Sequence, residues 1–280
     1  AWQAANAGIH VALYEMRPFV STGVHKSCNL AELVCSNSLG SNVRTSAAGL
    51  LKCELRTLNS LVLKCAEENA LPAGRAIAVD RAGFSKTVEE RLQSHPSIEI
   101  FHQEVKCIPN SPAIIATGPL TSESLAADIN RVLGEDFVFF FDALAPIVTL
   151  ESIDMSLAFR GSRYEQDETA DGDYINCPLT EAEYEVFLTE LLHAEVTALD
   201  AVDASVRKGV KAGASPFFEA CLPIEVLAAR NPQALTFGPL RPVGLRDPRD
   251  DSHPYAVLQL RQDDLANTLY NVVGFQTNLK

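Results

Sequence analysis

Strand-length apolar runs alternate with helical stretches through the first half of the chain. The runs are residues 9–14, 76–79, 98–105, 112–119 and 137–141, and the helical stretches are 50–68, 80–92 and 122–133. Such alternation is typical of parallel sheets whose two faces are covered by helices. The sequence therefore predicts an α/β fold with a doubly wound, Rossmann-like parallel sheet.

An acidic residue follows the first apolar run. Residues 1–7 have a helical composition, Gly8 fits a helix C-terminal cap, and the run 9–14 ends at Glu15. Helix, glycine, strand and acid in this order form the second half of a dinucleotide-binding βαβ unit, in which the acid accepts a hydrogen bond from a ribose hydroxyl. The alternative is a solvated glutamate at a strand end. The first strand and the glycine-rich loop would precede Ala1, so we expect a chain truncated at both ends.

A cysteine lies at the mouth of a polar loop in residues 31–42. Cys35 ends a short apolar run, the Ser- and Asn-rich loop follows it, and a helix is predicted soon after. A thiol in this position is open to substrate, and the positive end of a helix would stabilise its thiolate. The alternative is that Cys35 is a small buried hydrophobic residue, as free cysteines usually are.

Composition narrows the class of protein. Apolar residues make up 47% of the 280 residues, which is enough for a sizeable core. The 7 cysteines include no CxxC pair, and the 6 histidines have no metal-ligand spacing, which favours a reducing, cytoplasmic location without a metal site. No apolar run is long enough to span a membrane. The net charge of −13 comes from residues 111–280 and argues mildly against nucleic-acid binding.

The amino-acid composition changes in the second half of the chain. Residues 151–254 are acidic and contain several prolines and glycines, which indicates a separate, smaller α+β insertion. Within it we expect helices at 181–194 and 223–230 and a basic loop at 206–215. Strands are predicted at 255–260 and 269–275. The expected domains are thus 1–150, 151–254 as the insertion, and 255–280 as a return to the first domain.

Many short runs, in one order, resemble a known family, the folate- and FAD-dependent tRNA (uracil-5-)-methyltransferases. The resemblance covers essentially the whole chain. The matching runs are 13–18, 31–39, 78–81, 115–122, 145–148, 152–155, 176–178, 218–225, 237–239, 259–264 and 273–277.

The resemblance implies both a fold and a reaction. The fold would be a glutathione-reductase-type FAD-binding domain. The reaction would be methylation of carbon 5 of the T-loop uridine of tRNA, with methylenetetrahydrofolate as carbon donor. Reduced FAD would carry the methylene group, and NAD(P)H would be the reductant. The expected partners are therefore tRNA, through its T-arm, and the folate, with neither a membrane nor a metal ion.

The resemblance also implies site residues. Carbon 5 of uracil is a poor nucleophile until a thiolate adds at carbon 6, and a second group must then remove the proton from carbon 5. Cys35 and Cys221 are at the matching catalytic positions. Which one attacks stays open, with a preference for Cys221 as nucleophile and Cys35 as the flavin-side partner or base. Two other functions remain: a related flavoprotein that modifies the tRNA wobble uridine, and a truncated non-catalytic chain.

The matching cofactor positions lie in the first 120 residues. Glu15 would bind the adenosine ribose, with Arg17 beside it. Val105 would bind adenine through its backbone, and Thr117 and Gly118 would pack near the pyrophosphate. Each has a simpler structural alternative, because Val105 also fits a core strand and Gly118 also fits a turn.

Overall fold

A computed structural model describes residues 1–22, 25–133, 145–163, 172–196 and 223–279, without the side chain of Pro119. The described chain divides into two compact units. The first contains residues 1–34 and 85–133. The second contains 35–84, 145–163, 172–196 and 223–279.

The first unit is built on a parallel pair of strands. Helix α1 (Trp2–Asn6) is followed by Gly8, whose φ of 84° turns the chain into β1 (Val11–Glu15). β1 pairs in parallel with β5 (Ile98–His102), with Glu15 opposite His102. The C-terminal part of α4 (Arg81–Gln93) and all of α5 (Glu123–Leu133) belong to the same unit.

A small antiparallel sheet forms the first part of the second unit. Its strands are β2 (Ser38–Ser41), β3 (Ala70–Leu71) and β4 (Ala76–Val79), in the order β2-β4-β3. Helices α2 (Ala47–Thr57) and α3 (Leu61–Glu68) lie between β2 and β3 in sequence. β4 is the central strand of this sheet, all four of its residues are apolar, and three of them are buried.

A larger antiparallel sheet forms the rest of the second unit, in the order β6-β10-β9-β8-β7. Its strands are β6 (Ile147–Thr149), β7 (Phe159–Gly161), β8 (Tyr174–Leu179), β9 (Ala256–Gln262) and β10 (Leu269–Val272). Helices α6 (Glu181–His193), α7 (Ile224–Arg230) and α8 (Ala234–Phe237) contribute to its core. That core includes Ile175, Tyr184, Ile224, Leu235, Leu260 and Tyr270.

The mixed α/β class and the parallel pairing of strands in the first unit agree with the sequence prediction. Helix 181–194 and the strand at 76–79 are also confirmed. The larger sheet takes strands from all three predicted segments, 1–150, 151–254 and 255–280, so those boundaries do not coincide with its edges. As a domain division they remain a prediction.

Two predicted elements are wrong. The single helix at 50–68 is two helices, because Asn59 adopts a left-handed φ of 53° and the side chain of Ser60 accepts a hydrogen bond from Leu63 N, which starts a new helix. The strand at 112–119 is absent, and Ile114 is 87% exposed. Apolar residues form a strand only where a neighbour completes the hydrogen-bond ladder, and no described strand pairs with this run. The predicted strand 137–141 and loop 206–215 lie outside the described residues.

None of the helices in the described ranges is both long and apolar enough to cross a membrane.

Candidate functional site

Cys35 lies in a polar cluster of the second unit. The residue is half-buried, and its sulfur accepts a hydrogen bond from the side-chain amide of Gln276, with Nε2 2.8 Å from Sγ. The carbonyl oxygen of Cys35 accepts a second hydrogen bond from Nη2 of Arg81 at 2.9 Å. Both its thiol and its main chain are therefore held in place by side chains that are distant in sequence.

Arg81 is itself held by a carboxylate. Its Nε lies 3.1 Å from Oδ1 and 3.0 Å from Oδ2 of Asp263, whose side chain is 4% exposed. One guanidinium thus binds the Asp263 carboxylate and the Cys35 carbonyl together. A planar guanidinium with several fixed donors suits this double contact better than a lysine ammonium would.

A second arginine fixes the two residues after Cys35. Arg261 is buried, and it donates from Nε to Oδ1 of Asn37 at 2.9 Å and from Nη2 to Oγ of Ser36 at 2.8 Å. Its Nη2 also lies 3.3 Å from Oδ1 of Asn271. Burial lowers the pKa of Arg261, but an arginine still keeps its charge. Arg261 therefore donates hydrogen bonds to three neutral side chains, two of which belong to the residues directly after Cys35.

Asn37 joins the two sheets of the second unit. Its fully buried side chain donates from Nδ2 to the carbonyl of Val79 at 3.1 Å and to that of Gln262 at 3.0 Å. Its own carbonyl accepts from Val79 N at 3.0 Å. With Arg261 on Oδ1, every side-chain atom of Asn37 that can form a hydrogen bond has a partner. The loop after Cys35 consequently has little freedom to move.

Gln276 connects Cys35 to the start of α7. Its carbonyl oxygen accepts a hydrogen bond from Ile224 N at 2.7 Å. The next two residues bind the carboxylate of Glu225, from Oγ1 of Thr277 at 2.9 Å and from the backbone N of Asn278 at 2.9 Å. Ile224 comes three residues after Cys221, which lies outside the described residues.

Glu15 and Arg17 form an ion pair in the first unit, at the carboxyl end of β1. Arg17 donates from Nε to Oε1 of Glu15 at 2.8 Å and from Nη2 to Oε2 at 2.9 Å, and its backbone N also lies 2.9 Å from Oε1. Burial by itself would raise the pKa of Glu15, but the hydrogen bonds and charge of Arg17 outweigh it and lower the pKa below the ordinary value. Glu15 is thus an ionised acceptor at the end of the strand.

The same arginine organises the loop after β1. Its Nη1 lies 2.7 Å from Oε2 of Glu32 and 3.1 Å from the carbonyl of Ser27, and its own carbonyl is 2.6 Å from Nδ1 of His102. Glu32 in turn accepts from Lys26 N at 2.8 Å. Hydrogen bonding to Glu15 raises the pKa of Arg17, despite the opposite effect of its burial.

The remaining predicted cofactor residues also lie in the first unit. Val105 is partly buried and comes three residues after the end of β5. Thr117 and Gly118 are exposed; Thr117 Oγ1 lies 2.6 Å from Oγ1 of Thr121, and Gly118 has a φ of 70°. Ligand binding by these residues stays a prediction. Nowhere among the described residues do three His, Cys, Asp or Glu side chains form a group that could hold a metal ion.

Sequence reasoning found Cys35 but missed its contacts. Arg81, Asp263, Arg261 and Gln276 all lie within the runs that matched the family, and none of them was singled out. The presence of these polar residues in three separated matched runs was the available indication. No local pattern shows which of those residues meet.

Comparison of the whole sequence with known proteins agrees with the resemblance found in its short runs. The family model described as "Glucose inhibited division protein A" matches residues 1–280. Three proteins named "Methylenetetrahydrofolate--tRNA-(uracil-5-)-methyltransferase TrmFO" are similar over all 280 residues. Those of Bacillus licheniformis and Bacillus subtilis are 49% identical, and that of Ligilactobacillus salivarius is 50% identical.

The alignments cover 100% of this chain but only 62%, 61% and 61% of those three relatives. The chain therefore spans about three fifths of the length of the relatives it matches. Since the family model matches every residue from 1 to 280, the chain belongs to the glucose inhibited division protein A family.

Proposed function

We propose that the protein of which this chain is part methylates carbon 5 of the T-loop uridine of tRNA. Methylenetetrahydrofolate is the carbon donor, and the enzyme works in the cytoplasm as a folate-dependent methyltransferase. Similarity to the TrmFO relatives over all 280 residues supports this choice.

One observation carries the proposal. The side chain of Gln276 binds the sulfur of Cys35, while its main chain binds Ile224, three residues after Cys221. Gln276 thus links Cys35 to the start of α7, which follows the second motif cysteine closely in the sequence, and this supports a reaction that uses both thiols.

The chemistry assigns two tasks to the two cysteines. In the proposed mechanism the Cys221 thiolate adds to carbon 6 of uracil, which makes carbon 5 nucleophilic toward the methylene group. Cys35 then accepts the proton from carbon 5, and the bond between carbon 6 and sulfur breaks as the double bond of the ring returns. The hydrogen bond from Gln276 holds Cys35 for this transfer. The alternative is the reverse assignment, with Cys35 as the nucleophile and Cys221 as the proton acceptor.

The cofactor of the proposed reaction is FAD, and the residues at the end of β1 fit it. Glu15 is ionised, and each carboxylate oxygen can accept two hydrogen bonds. Its Oε2 accepts one from Arg17, which leaves capacity for a ribose hydroxyl. Val105, Thr117 and Gly118 are the further proposed contacts. Bound FAD would supply the methylene carrier and the two electrons for the methyl group, with NAD(P)H as its reductant.

The proposed architecture around that cofactor is a doubly wound, glutathione-reductase-type domain with an insertion at 151–254. The parallel pairing of β1 with β5 and the acid at the end of β1 support it. The T-arm of tRNA is the proposed macromolecular partner, and no metal is required.

The test uses the complete natural protein with tRNA that carries 5-fluorouridine at the T-loop position. Fluorine at carbon 5 cannot leave as a proton, so a covalent protein–RNA adduct should accumulate when thiol addition has occurred. We expect the Cys221→Ala variant to form no adduct and no methylated uridine. An adduct that persists in Cys221→Ala and disappears in Cys35→Ala would show that Cys35 is the nucleophile and Cys221 the proton acceptor. Adduct and methylation unaffected by either change would refute the use of both thiols.

Wobble-uridine modification is the alternative within the same kind of flavoprotein. Mass spectrometry of tRNA after incubation with folate and reductant distinguishes the two, because the mass increase falls on a different nucleotide. A T-loop product supports the proposal, and a wobble product overturns it. A third outcome, absence of flavin absorbance from the purified full-length protein, would favour a non-catalytic protein.

A further inference from the structure

We propose that Gln276 is a positioning residue that stabilises the thiolate of Cys35 and couples it to the start of α7. The inference rests on the proposed function only in treating Cys35 as a reacting thiol. It concerns two contacts of the same residue, one through its side chain and one through its main chain.

The side-chain contact favours the anionic form of the thiol. Nε2 of Gln276 is a donor and lies 2.8 Å from Sγ of Cys35. A donor directed at sulfur stabilises the thiolate more than the thiol, because the negative charge strengthens the hydrogen bond. Gln276 therefore promotes loss of the thiol proton without itself touching the substrate.

The main-chain contacts fix where that donor lies. Residues 276–278 make three hydrogen bonds to the first two residues of α7, from Ile224 N to the carbonyl of Gln276 and to the Glu225 carboxylate from Thr277 and Asn278. A glutamine side chain has several rotatable bonds, and its amide is reliably placed only when the backbone is held. A displacement of α7 would therefore move the donor relative to the sulfur.

On the other side of Gln276 the backbone is equally constrained. Gly274 has a φ of 70°, and a Cβ at this position would lie 3.1 Å from Cβ of Pro239. Phe275 is buried in the core of the larger sheet. The segment that carries Gln276 is thus held at both ends, one by packing and one by hydrogen bonds to α7.

The geometry gives Cys35 two kinds of support with different consequences. Arg81 and Arg261 bind its carbonyl and the side chains of Ser36 and Asn37, so they hold the loop. Among the side chains that the structure describes, Gln276 is the one that donates a hydrogen bond to the sulfur. Its removal should change the reactivity of the thiol while the loop keeps its place.

The experiment measures the rate of Cys35 alkylation by iodoacetamide as a function of pH, resolved by peptide mass spectrometry in the full-length protein. We expect Gln276→Leu to shift the pH profile of alkylation to higher pH, because a donor to the thiolate is lost. Gln276→Glu should shift it further, since a carboxylate replaces the donor. The exposed Gln233→Leu is the matched control and should leave the profile unchanged.

A second variant tests the coupling to α7. The Glu225 carboxylate binds Thr277 and Asn278 rather than Cys35, yet Glu225→Ala should shift the same profile by loosening those two residues. Circular dichroism and thermal unfolding of each variant establish that it is folded. A Gln276→Leu profile that coincides with the unsubstituted protein overturns the positioning role, and an unchanged Glu225→Ala profile overturns the coupling. Since neither measurement uses tRNA or folate, their results are independent of the methylation test.

Discussion

The guanidinium of Arg261 donates from Nε to Oδ1 of Asn37 at 2.9 Å, across 224 residues of sequence. Both side chains are buried, and the contact lies two residues after Cys35. Asn37 also binds the carbonyls of Val79 and Gln262, so one amide contacts the small sheet and the large sheet of the second unit. The polar loop that carries the proposed catalytic thiol is therefore part of the structural core of this unit.

Replacement of Asn37 by alanine should destabilise the second unit. The change leaves one buried carbonyl, one partly buried carbonyl and one buried arginine N–H without their partner, and a buried unsatisfied group costs about 1–3 kcal/mol. We expect a loss of at least about 2 kcal/mol in the free energy of unfolding, measured in urea. Asn110→Ala, at an exposed position, is the control. Equal stability of the two variants would contradict the role given to Asn37.

Arg81 and Asp263 should be energetically coupled. Asp263 is nearly fully buried, so the Arg81→Met change would leave a buried carboxylate without its cation, which costs about 3–5 kcal/mol. Asp263→Asn combined with Arg81→Met should cost less than the sum of the single changes. A double-mutant cycle in urea measures the difference. If the losses in the free energy of unfolding simply add, the interaction between Arg81 and Asp263 contributes little to stability.

The pH dependence of the first unit should follow Glu15. Its pKa lies below the ordinary value of 4.5 because Arg17 outweighs the effect of burial. The contribution of the ion pair is therefore fully present above about pH 4.5 and is lost as the pH falls through the lowered pKa of the folded state. The protection factors of the β1 and β5 amides, which correct for the intrinsic pH dependence of hydrogen exchange, should fall in that range. Glu15→Gln should remove this acid-dependent fall, and its persistence would assign it to another carboxylate.

Gly274 and Gly118 provide a matched pair for backbone strain. Both have a φ of 70°, but an added Cβ meets Pro239 at 3.1 Å only in the first case, whereas no described atom lies within 4 Å in the second. The left-handed conformation alone costs a non-glycine residue about 1–2 kcal/mol. We expect Gly274→Ala to lower the free energy of unfolding by more than Gly118→Ala. Equal losses would show that Pro239 can move away from the added Cβ without a cost in free energy.

Helices and strands could be predicted from the sequence where neighbouring residues alone determine them. The strand at 76–79 and the helix that begins after Thr180 were predicted correctly. A short apolar run specifies the strand, and the structure shows that the Thr180 and Glu183 side chains form a capping box at the start of the helix. The helix at 50–68 was predicted incorrectly because apolar spacing was given more weight than Asn59 and Ser60, which end one helix and begin another.

Elements and contacts that depend on residues distant in the sequence could not be predicted. Residues 112–119 have the apolarity of a buried strand, but apolarity does not supply a neighbouring strand to pair with. At the site, the stretch around Cys35 could be identified from sequence, whereas the contact of Arg81 with Asp263 spans 182 residues and follows only from the fold. The pairing of Cys35 with Gln276 is of the same kind, at a separation of 241 residues.

These long separations have a consequence for synthesis of the protein. The ribosome adds residues from the N-terminus, so Cys35 emerges long before Arg261 and Gln276 exist. Until residue 276 has left the ribosome, the thiol lacks its amide donor and the loop lacks the guanidinium that fixes it. The nascent chain must therefore carry this cysteine without these partners while the next 241 residues are added.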